Sequence, residues 1–270
     1  MDETSAIVFE TAERLLADLA ERAGPWESMP ENAYAAGWAT IEESGLTLAL
    51  VAGEQGGLGL PLTDGMELVR IAGRHHGPWP LVDTMLARRF AAEDGARAGT
   101  GPVAVDGLGE LAAHQRDLAA LARACQMAGA LEAVLEMSIR HVEERSQFGR
   151  PLARFQAIQH SLATLAGEVA AGRAAADFAC QRVEGDNADL PLAIGIARAR
   201  VGEAASRATA IAHQLHGAIG YTREHRLHRY TTALWRWRDE FGTQAWWTRR
   251  VGRAVIGEGA DGFWPMVTAA

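Results

Sequence analysis

An all-α fold is predicted for this 270-residue chain. Three observations predict it: apolar residues recur at three- and four-residue steps along three long stretches, the connections between those stretches are short, and no region is rich in strand-like alternation. Together they divide the chain into an N-terminal helical domain (1–95), a Gly-rich linker (96–116) and a C-terminal antiparallel four-helix bundle (117–270).

In the first part, helices are expected at Ser5 to Arg22, Glu31 to Ser44, Thr63 to His75 and Leu81 to Ala92. "GEQGGLGLP" at 53–61 separates the middle two. It resembles a phosphate-binding loop only in composition, because no βαβ strand precedes it and no GK[ST] follows; a plain helix-to-helix loop is the reading. "DGARAGTGPVAVDGLGEL" is too short to be a domain and reads as a linker or small hairpin.

The bundle follows. Leu118, Leu121, Cys125, Ala128, Leu131, Leu135, Ile139 and Val142 mark the first apolar stripe, and Ile158, Leu162, Leu165, Val169, Gly172, Ala176, Ala179 and Val183 the second. The third runs through Ile194, Ala197, Val201, Ala204, Ala208, Ile211 and Leu215, with Asp189 and Pro191 as start signals and Gly217 as a stop. The many Ala and Gly positions would let these helices approach closely. A fourth helix from about Thr232 to Val251 would complete the bundle.

A hydrophobic content of 48% is enough for one large or two modest cores. The net charge of −8 and pI near 5.6 argue against nucleic acid as a partner, since phosphate backbones need a basic footprint. Cys125 and Cys180 fit no CxxC or zinc spacing and read as reduced core residues. "MDETSAIVFE" has no basic leader and no apolar run approaches bilayer length, so a cytoplasmic protein with no membrane partner is expected.

Short chemical motifs are weak. His213 and His216, and likewise His225 and His228, have a spacing that can hold a metal, but no carboxylate completes either pair. Surface or capping histidines are the expectation, and no metal site is assigned. GxSxG and HExxH do not occur. The C-terminal tryptophans are expected in the core or an interface.

Two longer stretches carry more. "ERSQFGRPLARFQAIQHSLATLA" (144–166) joins the first two bundle helices, and "HQLHGAIGYTREHRLHRYTTALWRWRDEFGT" (213–243) follows the third. Together they resemble the C-terminal domain of the acyl-CoA dehydrogenase family, with its R-x-QFG…FQ and Q-x-x-GG-x-G-[FY] patterns and a fixed-length segment leading to E-G-T. "LTLALVAGEQGGLGLPLTDGMELVRIAGR" resembles the family's N-terminal helical domain.

The resemblance implies FAD as cofactor, held at its ADP half by Arg145, Gln147, Phe148, Gln156, Gln214, Gly217 and Gly220. The chemistry of the residues agrees. Arg145 can pair bidentately with a pyrophosphate, the glutamines offer amide donors and acceptors, and the glycines allow close backbone approach. A purely structural alternative has Arg145 capping a helix and the glycines turning the chain.

The family's middle β-domain, which helps hold the flavin ring and the acyl-CoA, is replaced here by the Gly-rich stretch. Counting from Gly220-Tyr221 to Gly242-Thr243 aligns Phe241 with the family's common catalytic glutamate, and the alternative base position falls on Ala119. Glu240 is expected to point the opposite way from Phe241. No catalytic residue is therefore assigned.

In the family's dimer geometry these turns contact FAD held by the neighbouring subunit. The resemblance thus implies a small, non-catalytic subunit of a heteromeric acyl-CoA dehydrogenase. Its partner would be a larger subunit carrying the β-domain and base, with FAD shared at the interface and an acyl-CoA thioester as substrate; alone, the chain could form a homodimer. Two alternatives stay open: a self-sufficient homo-oligomeric flavoenzyme using Glu240 or Asp239, and a scaffold of the same fold that binds no flavin.

Overall fold

The computed structural model describes residues 3–96, 99–184 and 189–268, so residues 97 and 98 of the linker lie outside the described residues. Four helices form the N-terminal part: α1 (Glu3–Arg22), α2 (Glu31–Glu43), α3 (Leu62–Arg74) and α4 (Leu81–Glu93). Pro30, Pro61 and Pro80 occupy the positions immediately before α2, α3 and α4. A fixed φ and a missing N–H make proline a natural boundary there. The loop at 53–59 is a connection between helices, as expected; Gln55 Nε2 ties it to the Ala92 carbonyl at 2.9 Å.

The bundle is built on α5 (Ala113–Glu144), α6 (Gln156–Cys180) and α7 (Leu190–His216). By mean hydropathy, 1.4 over its most apolar stretch, α5 is long and apolar enough to cross a membrane, which corrects the sequence reading on that point; 83% of the stretch is buried inside the protein, as a core helix requires. Small residues bring the helices together. A Cβ on Gly73 would lie 1.9 Å from the Gln126 carbonyl oxygen, and one on Gly129 1.9 Å from that of Arg70, so α3 and α5 meet backbone to backbone. Across α6 and α7 the approach is looser: a Cβ on Gly172 would lie 3.3 Å from the Ala204 side chain.

The expected fourth helix is two: α8 (Leu227–Asp239), packed on α5 and α7, and α9 (Gln244–Thr268), packed on α7 and interrupted at Gly259. The break comes from Phe241 (φ 57°) and Gly242 (φ 114°), whose left-handed backbone cannot continue a helix. Arg198, buried in α7, holds it open. Its Nη2 donates to the carbonyls of Trp237 and Arg238, both at 3.1 Å, and of Glu240 at 2.7 Å. Burial draws the Arg198 pKa down to about 9, with Arg123 nearby adding to the effect.

One continuous apolar core runs from Leu16 and Trp38 through α5 to Trp237 and Trp247. Of the tryptophans expected in the core or an interface, Trp237 and Trp247 are buried in the core, whereas Trp235, Trp246 and Trp264 are exposed. Cys125 and Cys180, distant in sequence, meet across α5 and α6 with their sulfurs 3.2 Å apart, both as free thiols. Hydrogen bonding to Cys180, with burial, pushes the Cys125 thiol pKa up. No strand forms in the described part of the linker, where a short 3-10 turn covers Val105–Leu108.

Candidate functional site

Two turns at one end of the bundle carry the predicted cofactor residues. The first is a hairpin between β1 (Ser146–Gln147) and β2 (Arg150–Pro151), with Gln147 opposite Arg150. Phe148 (φ 51°) and Gly149 (φ 77°) form its corner, both left-handed as a tight hairpin requires. Phe148 is unusual for such a position and is 91% exposed. Arg145 ends α5, Gln156 begins α6, and Gln214 lies in the last turn of α7.

All four polar side chains, Arg145, Gln147, Gln156 and Gln214, are exposed and make no hydrogen bond or ion pair with a described residue. The second turn is Gly217–Tyr221. Gly217 (φ 62°, ψ −144°) occupies a conformation open only to glycine and is exposed. Gly220 departs from the sequence reading: it is buried, and a Cβ there would meet His216 Cβ at 2.9 Å and Leu227 at 3.1 Å. Its smallness serves packing of the chain against itself.

The turns are joined by histidines. His141, one helical turn before Arg145, stacks on His216, the residue before Gly217, with ring centroids 4.4 Å apart. His225, from the loop before α8, approaches the edge of His216 at 4.7 Å. Burial of His213 and His216 corrects the expectation of surface or capping histidines, whereas His225 Nδ1, which accepts from the Leu227 N–H at 3.1 Å, meets it at the start of α8. His213 and His216 are buried; His213 Nε2 meets Thr231 Oγ1 at 3.0 Å, and its ring stacks on Tyr221. Burial lowers the pKa of His141 and His225 and takes that of His216 to about 4.

A separate cavity of about 830 Å³ opens between the N-terminal helices and α8, lined among others by His76, Trp79, Asp83, Arg123, Glu240 and Phe241. Glu240 and Phe241 both face it. The expectation that they point apart fails because Phe241 is left-handed, not extended, so side chains do not alternate across the pair. Glu240 is instead held by charge. Its Oε2 lies 2.6 Å from Arg123 Nη2, outside hydrogen-bonding alignment, and its Oε1 lies 3.2 Å from Arg236 Nε.

Arg123, 1% exposed, also binds Asp83 Oδ1 at 2.5 Å and the Gln126 side chain, with the Trp237 and Phe241 rings 5.6 and 5.3 Å from its guanidinium carbon. Ala119 is buried in the core and offers no carboxylate. Asp239 is about half exposed, contacts Arg238 at 3.4 Å, and does not line the cavity. Sequence reading missed Arg123 and Arg198. The signal was present: each is an arginine placed among buried Ala, Leu and Val positions, where an unpaired charge would be prohibitive.

A helical body, a broken fourth helix and two polar turns at one bundle end set the frame for comparison with known proteins. Residues 110–256, more than half of the chain, match the acyl-CoA dehydrogenase C-terminal domain, and the chain belongs to the acyl-CoA dehydrogenase family. Acyl-CoA dehydrogenase IpdE2 of Mycobacterium tuberculosis is 40% identical over 114 residues, covering 42% of this chain and 34% of that protein. Acryloyl-CoA reductase (NADH) of Anaerotignum propionicum is 32% identical over 120 residues, 44% of this chain and 30% of that one. The match thus spans about a third of these relatives' length.

Among solved structures, the ChsE4-ChsE5 complex from Mycobacterium tuberculosis aligns with a TM-score of 0.79 at 17% identity, covering 96% of this chain and 98% of that one. The Tcur3481-Tcur3483 steroid ACAD variant aligns with a TM-score of 0.79 at 20% identity, covering 96% and 99%. At these identities the likeness is one of fold. The fold is the acyl-CoA dehydrogenase type without its β-domain; among the described residues the only strands are the two of the Phe148 hairpin.

Proposed function

We propose that this chain is a non-catalytic subunit of a heteromeric acyl-CoA dehydrogenase, completing the FAD site of a larger partner that carries the β-domain and the base. The observation that carries the reading is the state of Glu240. Both its oxygens face guanidinium groups, and the neighbouring position that the family pattern gives to the base is a phenylalanine. A general base needs a carboxylate free to reach a substrate proton.

The outward turns fit the phosphate half of FAD. Arg145 offers a planar fork suited to a diphosphate, Gln147, Gln156 and Gln214 offer amides, and none of the four makes a hydrogen bond or ion pair among the described residues. Gly217 presents exposed backbone beside them. FAD, when bound, accepts the hydrogen that leaves the β-carbon of the thioester during α,β-desaturation. This chain's residues would bind and orient its phosphates, while the partner's carboxylate takes the α-proton.

That solved complexes of this fold include a steroid ACAD supports a bulky, sterol-derived acyl group as substrate. The self-sufficient alternative is disfavoured by the pairing of Glu240 and the position of Asp239 outside the cavity. The test is co-expression with a larger acyl-CoA dehydrogenase subunit from the same host. Flavin absorbance is expected only in the co-purified complex, and Arg145→Ala should weaken its retention about 10–100-fold, the scale of a lost charge-assisted contact. Full flavin occupancy of the chain purified alone would overturn the reading.

A further inference from the structure

His141, His216 and His225 come from three segments, the end of α5, the end of α7 and the loop before α8, and each offers one ring nitrogen such that all three lie within 4.8 Å of one another. We propose that these histidines bind one divalent transition-metal ion of the zinc type, and that the ion clamps the ends of α5 and α7 together. The site is independent of the flavin reading and rests on the chain's own side chains.

His216 is the anchor. Its Nδ1 lies 2.8 Å from the Ala212 carbonyl oxygen, which can only accept, so Nδ1 carries the proton and Nε2 is left with a bare lone pair. That Nε2 is buried and has no hydrogen-bond partner, in a residue only 5% exposed. An acceptor stripped of water and left unpaired is unfavourable unless something fills the position. A backbone carbonyl on the far ring nitrogen is also the usual means by which a protein orients a ligating histidine.

The other two imidazoles can move to meet it. The His141 ring is half-buried and makes no hydrogen bond among the described residues; it now lies nearly parallel to His216, at 22°, and a turn of the ring would bring a nitrogen toward the same point. The Nδ1 of His225 accepts a 3.1 Å hydrogen bond from the Leu227 N–H, a contact it would give up or retain according to which nitrogen ligates. Zinc–nitrogen distances of about 2.0–2.1 Å in a tetrahedral site place ligand nitrogens roughly 3.3 Å apart, so the cluster must close from its present 4.8 Å limit. Half-buried side chains at the surface make that closure feasible and give the ion a route in.

The donor set selects the ion. Three imidazoles without a carboxylate or thiolate suit zinc, cobalt, nickel or copper rather than magnesium or calcium, and a fourth position stays open to water. Neither sequence pair with metal-like spacing forms this set: His213 is taken by Thr231 and His228 by Glu27 and its own helix start.

The test uses the full chain without a histidine tag, freed of metal by a chelator and then titrated with ZnCl₂ by calorimetry and with CoCl₂ by visible absorption. One equivalent of zinc is expected, with a tetrahedral cobalt spectrum and a melting temperature raised by zinc. His141→Gln and His225→Gln, at half-buried positions, should each weaken binding at least about tenfold with the helical circular dichroism unchanged. Two results overturn the site: no saturable binding by the wild-type chain, or unchanged affinity and stoichiometry in the His141→Gln/His225→Gln double variant.

Discussion

The base loop and the two outward turns belong to the same bundle, yet their charged groups are placed in opposite circumstances. Around Glu240 the nearest charged groups are paired with one another: Arg123 with Asp83 and Glu240, and Arg236 with Glu240. At the turns, the side chains of Arg145 and three glutamines make no hydrogen bond or ion pair among the described residues. A site kept for chemistry holds its reactive groups available, and a site kept for structure saturates them. By that measure the Glu240 loop is an ion-pair centre, and the turns carry the exposed polar groups.

Removing Arg123 should produce the largest effect and would break the comparison if it did not. It is buried under two aromatic rings, and its loss leaves the Asp83 carboxylate without its cation and Glu240 with Arg236 alone. Truncating one partner of a buried pair commonly costs about 3–5 kcal/mol. Arg123→Met is therefore expected to lower the unfolding free energy measured in urea by that amount, whereas Arg145→Ala, whose exposed side chain makes no hydrogen bond or ion pair among the described residues, should lower it by less than about 0.5 kcal/mol. Equal losses for the two would show that the loop and the turns do not differ in the way described.

This contrast explains how much could be read in advance. The long helices were legible because apolar periodicity and closely packed Ala and Gly act locally and repeat: α5, α6 and α7 fall where their stripes place them. The two turns at the bundle end were legible as turns because Arg145, Gln147 and Gly217 sit in contiguous motifs. What escaped depends on residues distant in sequence. The break in the fourth helix is fixed by Arg198, some 40 positions earlier, and helical propensity over 232–251 gives no sign of it. The direction of Glu240 turned on one left-handed phenylalanine, a conformation that no propensity favours. The histidine cluster draws on three segments, and local spacing suggested the wrong pairs.

A second, intermediate effect sharpens the comparison through pH. His76 lies against Trp26, Tyr230 and Trp237, and burial, reinforced by Arg236, Arg123, Arg229 and Arg226, pulls its pKa down to about 3. An unfolded histidine titrates near 6.5. Between these values the unfolded chain binds the extra proton, so the contribution is complete above about pH 6.5 and is lost as pH falls toward about 3. From pH 6.5 to 5 the loss should reach about 1–2 kcal/mol. His76→Phe, which keeps a ring among the aromatic neighbours but cannot titrate, should flatten the pH dependence of the denaturation midpoint in that window. An unchanged slope would mean that His76 is protonated without cost and that the cavity wall is more open to water than its ring contacts imply.

The smallest effect concerns turnover in the assembled enzyme. Glu240→Gln removes the charge facing Arg123 and Arg236 but keeps the shape, and Asp83 still holds Arg123 at 2.5 Å, so the loop should survive with about 1 kcal/mol of lost stability. If the chain contributes no base, the catalytic rate of the complex should stay within about threefold of wild type, whereas removing a true general base costs about a hundredfold or more. The measurement is the rate of dehydrogenation by the purified complex, normalised to its flavin content. Glu240 does face the cavity, so direction alone does not exclude it; what argues against it is that its charge is already balanced by two guanidinium groups. A hundredfold loss with assembly and flavin intact would mean that this pairing opens during turnover, and it would make the loop catalytic after all.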